Sequence, residues 1–362
     1  MAEPAVDEWQ ELDEVGFYEE AERLGWGDGL PLVAPTEARM EAFLAEVDRG
    51  PDDLLGLMPP AEFEVTPAKV AANAIMAGCE PRMMRVVLAS ISALLEDEFN
   101  LSGIQSTTHP VAPLTVVHGP ASLELGFHGG PGLFGPGNRT NATVGRAIRL
   151  CLLNLGGARP GELDRATHGQ PSKYSYCVTE NLEDSPWRSY AEEVAGLGPA
   201  DDAVTVCGVE NPHNVNDHVS TDAYGILSTV ASSIATMGAN TSYISRGAVV
   251  VVLGPEHADT VASSGFTRRD VQSFLFEEAR LPVSQLRKGG MWGMKMWSPW
   301  LEERIEKSGD DGLTVPVVND PDGFEVFVAG GPGKHSVVMQ GFGGTQAVTR
   351  TFDELLTREE TA

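Results

Sequence analysis

The residue whose chemistry is easiest to argue is Cys79, in NAIMAGCEPRMM. It falls between a segment that Gly78 would end and one that Pro81 would begin, so the free N–H groups and dipole of the second helix would favour a thiolate. Arg82 and Arg85 would help and Glu80 would oppose. The alternative for this position is a small buried side chain at a helix crossing. Cys151 in RAIRLCLLN and Cys207 in AVTVCGV read as core. Cys177 and Glu180, in SKYSYCVTENLEDSPW, sit in a polar density that suits a site. No CxxC pair is present, so neither a zinc knuckle nor a local redox dithiol is written here.

The second feature is the Gly/Pro loop GGPGLFGPGN leading into NRTNATVGRAIRL. Its glycines let backbone N–H groups approach a ligand, and the helix start favours an anion. Arg139, Arg146 and Arg149 supply fixed positive charge, which predicts a carboxylate or phosphate cradle. The glycine spacing matches neither GxxxxGK[ST] nor GxGxxG, so ATP and dinucleotides gain no support. No HExxH is present; His109 in QSTTHPVAP and His168 in ATHGQPSK lie in polar loops of the kind that carry active sites. His213, Asp217 and His218 in NPHNVNDH read first as a solvated turn, with a supply of ligands or protons as the alternative. Lys334 and His335 follow the last expected strand at a sheet's carboxyl edge.

The elements that must position these residues follow from periodicity and caps. An acidic amphipathic helix is expected over 7–24, and helices follow Thr36, Thr66-Pro67 and Pro81. A further helix begins at NATVGRAIRL. Strands are expected at APLTVVHG, AVTVCGV, GAVVVVLG and FEVFVAGG, with helices at TDAYGILSTVASSIATMG, PEHADTVASSG and TRRDVQSFLFEEAR. Alternation of strands with helices predicts an α/β fold with a layered, largely parallel sheet and flanking helices. A composition shift near residues 182–202 divides it into two α/β domains of similar size, 25–195 with the Cys79 site and 196–362, after the acidic helix of 1–24. No sequence repeat or low-complexity tract is evident. The Met/Trp stretch 288–300 reads as bulky packing, with a lid or partner surface as the alternative.

Composition narrows the function. With 25 Lys+Arg against 52 Asp+Glu, the net charge of −27 disfavours nucleic acid. No apolar run approaches the ~18 residues of a membrane helix, and the acidic start does not read as a signal, so a cytoplasmic protein is expected. A structural disulfide is not expected there.

Together WGDGLPLVAPT, VAANAIMAGCEPRMMRVVLAS, GPGNRTNATVGRAIRL and YCVTENLEDSPW resemble a bacterial family encoded with, or fused to, small domains bearing a selenocysteine-Gly-Ser-Cys or Cys-Gly-Ser-Cys motif. Those domains are similar to the selenol-bearing part of the glycine, sarcosine and betaine reductase selenoprotein. The resemblance runs from about Gly27 to His335 and implies thiol or selenol redox chemistry. This chain lacks the motif, so a separate small thiol or selenol protein would supply it. The positions matching the shared motifs are Asp28, Asn73, Cys79, His109, Asn138, Asn141, Arg146, Lys173, Glu180 and Trp187.

The leading expectation is a thiol-dependent enzyme in which Cys79 attacks or reduces a small anionic metabolite, with His109 or Glu180 shuttling a proton. Asn138, Arg139, Asn141, Arg146 and Lys173 would bind the substrate. The alternatives are a lyase or hydrolase using Glu180, Lys173 and the histidines as acid and base, and a non-catalytic subunit of a redox complex. The sequence names no cofactor and no oligomeric state, and it leaves a metal open.

Overall fold

The computed structural model describes residues 14–244, 247–289, 292, 299–308 and 312–354. The beginning of the acidic helix expected from residue 7, and residues 290–291 and 293–298 of the Met/Trp stretch, lie outside them.

The first part of the chain supplies α1 (Glu14–Leu24), α2 (Glu37–Leu44), α3 (Pro67–Ala77), α4 (Met84–Leu94), α5 (Leu101–Gln105), α6 (Pro120–Glu124), α7 (Arg139–Asn154) and α8 (Tyr190–Glu193). Its strands are β1 (Gly56–Met58), β2 (Phe63–Val65), β3 (Ala112–His118), β4 (Cys177–Thr179), β5 (Ala203–Val209) and β6 (His213–Asn216). The second part supplies α9 (Ala223–Ile234), α10 (Thr241–Ile244), α11 (Pro255–Ser263), α12 (Arg268–Glu278), α13 (Val283–Leu286) and α14 (Pro299–Ser308). Its strands are β7 (Val249–Leu253), β8 (Arg280–Pro282), β9 (Thr314–Pro316), β10 (Phe324–Val328), β11 (His335–Met339) and β12 (Val348–Thr351).

Local signals account for the principal helices. In α3 the Thr66 hydroxyl accepts the Lys69 N–H, Pro67 opens the first turn and Gly78 ends the helix at φ 88°. Asn138 caps α7, Asp222 caps α9 and Thr267 caps α12.

The sheet expected to be largely parallel is instead two mixed four-stranded sheets, ordered β12-β5-β3-β4 and β10-β7-β11-β6. Each has one parallel pair, β3 with β4 and β7 with β10, and is otherwise antiparallel. The antiparallel character comes partly from β5, expected as a strand but running against β3, and partly from β6, β11 and β12, which carry too few consecutive apolar residues to be expected as strands. Leu114 and Val116 of β3 meet Val250 and Val252 of β7 in a core between the sheets. The opposite faces pack on helices: Val204 and Val206 toward α4 and α7, and Val249 and Val251 toward α9 and α12. The result is a helix, sheet, sheet, helix sandwich, which is why β3, β5 and β7 are buried on both faces and read as continuous apolar runs. Beyond the boundary expected near residue 195, β5 pairs with β3 along its length.

The order of elements is also repeated, which the sequence did not reveal. Helix, strand, helix, parallel edge strand and antiparallel third strand run as α4, β3, α7, β4, β5 and again as α9, β7, α12, β10, β11. Registers correspond, with His118 opposite Ala203 and Leu253 opposite Ser336. The fourth strands are exchanged: β6, which follows β5, pairs with β11, and β12, which follows β11, pairs with β5. The third strands touch as they leave their sheets, the Glu210 N–H donating to the Gln340 carbonyl at 2.9 Å. The visible sequence trace is VVHGP at 116–120 against VVLGP at 251–255. Both glycines are required sterically: a Cβ at Gly119 would lie 2.4 Å from the Asp201 carbonyl, and one at Gly254 2.2 Å from that of His335.

Candidate functional site

Cys79 does not meet the condition expected of it. Its N–H closes α3 on the Ala74 carbonyl at 3.0 Å, so the sulfur follows the negative end of that helix. The next segment begins as a 3-10 turn over Pro81–Met83, whose Pro81 has no N–H to offer, and Met83 sulfur takes the Glu80 N–H. Cys79 is 8% exposed. Burial pushes its thiol up to about 12, against weaker opposing pulls from Thr143, Arg139 and Arg146, while Glu80 adds to the rise. Cys151, Cys177 and Cys207 are likewise buried, with thiols pushed upward by desolvation.

The other expected site residues are dispersed. His109 has both ring nitrogens engaged: Nδ1 accepts the Val111 N–H at 3.2 Å and Nε2 lies 2.9 Å from Glu210 Oε1. With both nitrogens engaged inside the protein, the ring has none left for a substrate. Glu180 lies buried between the sheets, accepting the Tyr190 N–H at 2.8 Å with both Arg268 Nη atoms at 3.5 Å and His118 Nδ1 at 3.4 Å. Burial works against ionisation there, but His118 and the Arg268 guanidinium hold its carboxyl below the usual range. Trp187 lies under that same Arg268, 5.8 Å from its guanidinium.

Asn138, Asn141 and Arg139 serve the Gly/Pro loop and the α3 end. Asn138 accepts the Asn141 N–H and donates to the Gly126 carbonyl; Asn141 bonds both backbone groups of His128 at 2.9 Å. Arg139 reaches the Gly78 carbonyl at 3.0 Å and Glu80 at 3.3 Å. Arg146 is committed to Asp28 through two bonds of 2.7 and 2.8 Å, and to the Leu30 and Pro31 carbonyls. Burial opposes the Asp28 charge, but this pairing holds its carboxyl below the usual range. The loop lines cavities of about 260 and 460 Å³, neither bordered by an arginine. Loop and arginines, joined in the expected cradle, are therefore apart.

Of the three arginines expected in the cradle, only Arg149 meets Lys173, in a cavity of about 670 Å³ beneath the segment 159–174. Its wall includes Asp28, Arg149 from α7, Arg159, Asp164, His168 and Lys173. Of the residues expected to bind substrate, only Lys173 lines it; Arg146 backs it through Asp28. One Asp164 oxygen receives both Lys173 Nζ at 2.7 Å and Arg149 Nη2 at 3.3 Å, while the other accepts the Ala166 N–H at 3.0 Å. Arg159 is anchored by Asn154 Oδ1 at 3.2 Å, and Asn154 in turn bonds Asn73 at 2.7 Å and the Trp26 carbonyl at 2.9 Å. Asn73 thus supports the site from the α3–α7 contact. Counting Arg146 against Asp28, the cluster carries a surplus of two positive charges in a chain of net −27. Desolvation lowers the proton affinity of Arg149, Arg159 and Lys173; at Lys173 the Asp164 carboxylate opposes that fall and the Arg149 charge adds a smaller push in its favour.

Arg159 and Asp164 were missed by the sequence reading. The available signal was GGARPGELDRATHGQPSK, a long polar segment with little regular structure, of a length that in compact domains usually covers a site. Among the described residues no group of three or more His, Cys, Asp or Glu side chains is arranged to hold a metal ion. No helix among them is long and apolar enough to cross a membrane. The chain matches no protein-family model, and no curated protein matches it.

Proposed function

We propose that the cleft beneath residues 159–174 binds a small metabolite carrying two negative charges, as carboxylates or phosphate, and that Lys173, Asp164 and His168 perform acid–base chemistry on it. The observation that carries this reading is the gathering of Arg149, Arg159 and Lys173 around one cavity in an acidic chain, with Asp28 already matched by Arg146. The volume is in the range of small-molecule sites. Arg149 and Arg159 keep their charge and present donors in a fixed fork, as carboxylate or phosphate recognition requires. Exposed His168 and the Lys173–Asp164 pair provide groups able to exchange protons. The burial and upward shift of Cys79 lend no support to a thiol mechanism.

Calorimetric titration of the full chain with succinate, inorganic phosphate and acetate, at low and high salt, tests the reading. Dianions bind more tightly than acetate, and the difference shrinks as salt screens the partly exposed charges. Absence of binding by every anion, or equal affinity for one and two charges, refutes it.

A further inference from the structure

We propose that Lys173 is a nucleophile which condenses with the carbonyl group of a 2-oxo dicarboxylic acid held in this cleft, giving an imine; the proposal rests on the anion-cleft reading above. Among the described residues lining the cavity there is no cysteine or serine, and Lys173 is the one lysine. Its side chain is 12% exposed and its Nζ is fixed by Asp164 at 2.7 Å. Arginine suffices to hold an anion, and two arginines already line the wall. An amine there adds something a guanidinium cannot, because lysine loses its proton when desolvated beside other cations. Two features act in that direction: the side chain is largely buried, and Arg149 competes for the same Asp164 oxygen that neutralises the ammonium.

The step balances without an outside reagent. Lys173 passes one proton to Asp164, and the freed amine attacks the carbonyl carbon, forming the N–C bond as the carbonyl electron pair moves onto oxygen. That oxygen takes the proton back from Asp164. The nitrogen then gives a second proton to His168, which delivers it to the hydroxyl, and water departs as the nitrogen lone pair closes the C=N bond. The products are a protonated imine and one water, and nothing is oxidised or reduced. Arg149 and Arg159 hold the carboxylates throughout.

The test treats the full chain with sodium cyanoborohydride and either 2-oxoglutarate or succinate, followed by intact-mass measurement and peptide mapping. The expected result is one adduct, of the mass of 2-oxoglutarate less one oxygen atom, on Lys173, with none from succinate. Lys173→Arg abolishes the adduct, and its urea midpoint, close to that of the native protein because the Asp164 ion pair is kept, shows that the loss is not one of folding. Succinate binding without any adduct overturns the imine and leaves the anion cleft standing. An equal yield of adduct in Lys173→Arg, spread over other lysines, also overturns it. Failure of both acids to bind removes the cleft reading and the imine together.

Discussion

Helices α7 and α12 hold the same place in the two repeats, each over the parallel edge strand of its sheet, and both carry a buried arginine with different surroundings. Arg268 of α12 is sealed: Glu180, Glu193 and the carbonyls of Arg188 and Val326 take its donors, and Trp187 covers its plane. Arg149 of α7 meets one carboxylate, which it shares with Lys173, and borders open space. Helices in the same architectural place therefore carry their arginines differently: Arg268, the first residue of α12, is used for cohesion, whereas Arg149, well inside α7, borders the cavity proposed to bind an anion. The distinction arises from what lies above each helix. Over α12 the charge is closed in by the α8 region; beside α7 the long segment 159–174 arches over a void.

Substitutions can break this comparison. The largest effect is expected from Arg268→Ala, which leaves Glu180 buried without its main countercharge and costs about 3–5 kcal/mol of stability; a urea midpoint close to that of the unmodified protein would place Arg268 on the wrong side of the contrast. Arg159→Ala, at the half-buried rim of the cavity, leaves the urea midpoint nearly unchanged and weakens succinate binding. A hydrogen bond to a charged group is worth about 1.5–3 kcal/mol, equivalent to roughly tenfold to a hundredfold in affinity. An unchanged titration would show that the cleft does not use this residue.

The equivalence of the repeats can be sharpened with Gly119→Ala and Gly254→Ala. Each forces a methyl group against backbone where the third strand begins, so each is expected to cost about 1–3 kcal/mol. Thermal unfolding that shows a loss in one repeat alone would mean that the matching register conceals unlike packing.

The smallest effect concerns pH. Burial raises the Glu325 carboxyl to about 7, with the Tyr190 hydroxyl hydrogen bond opposing and Asp322 adding to the rise. The folded chain therefore keeps a proton that the unfolded chain releases. Stability falls as pH rises from the ordinary glutamate range, about 4.3, through about 7. Glu325→Gln should raise Tm relative to the native protein at pH 8, with the gap closing near pH 5. A gap independent of pH would refute this account of Glu325.

Legibility in the sequence followed the range of the determining contacts. The cap and stop of α3 and the apolar runs of β3, β5, β7 and β10 are local, and each element forms where it was expected. Strands β6 and β12 owe their pairing to partners more than a hundred residues away, β11 pairs with β6 at that range and with β7 less far off, and HNVN or VTRT carries too little alternation to announce a strand. Sheet polarity and the repeat were hidden for that reason. At the site, Arg149 and Lys173 were visible by type and neighbourhood. Cys79 misled because its flanks describe two helices meeting, while its ionisation depends on how densely other segments enclose it. Arg146 misled similarly, its Asp28 partner lying 118 residues earlier.

The exchanged strands tie the cleft to the far end of the chain. Gln170 in the cavity wall donates to the carbonyl of Val209, the last residue of β5, and Val209 is bridged to Gly341 from the other repeat. Two residues on, Asn211 accepts from Ser172, next to Lys173. The clasp between the repeats thus also braces the roof of the cleft, so Gly341 and a lysine nearly half the protein's length away share one framework of backbone contacts.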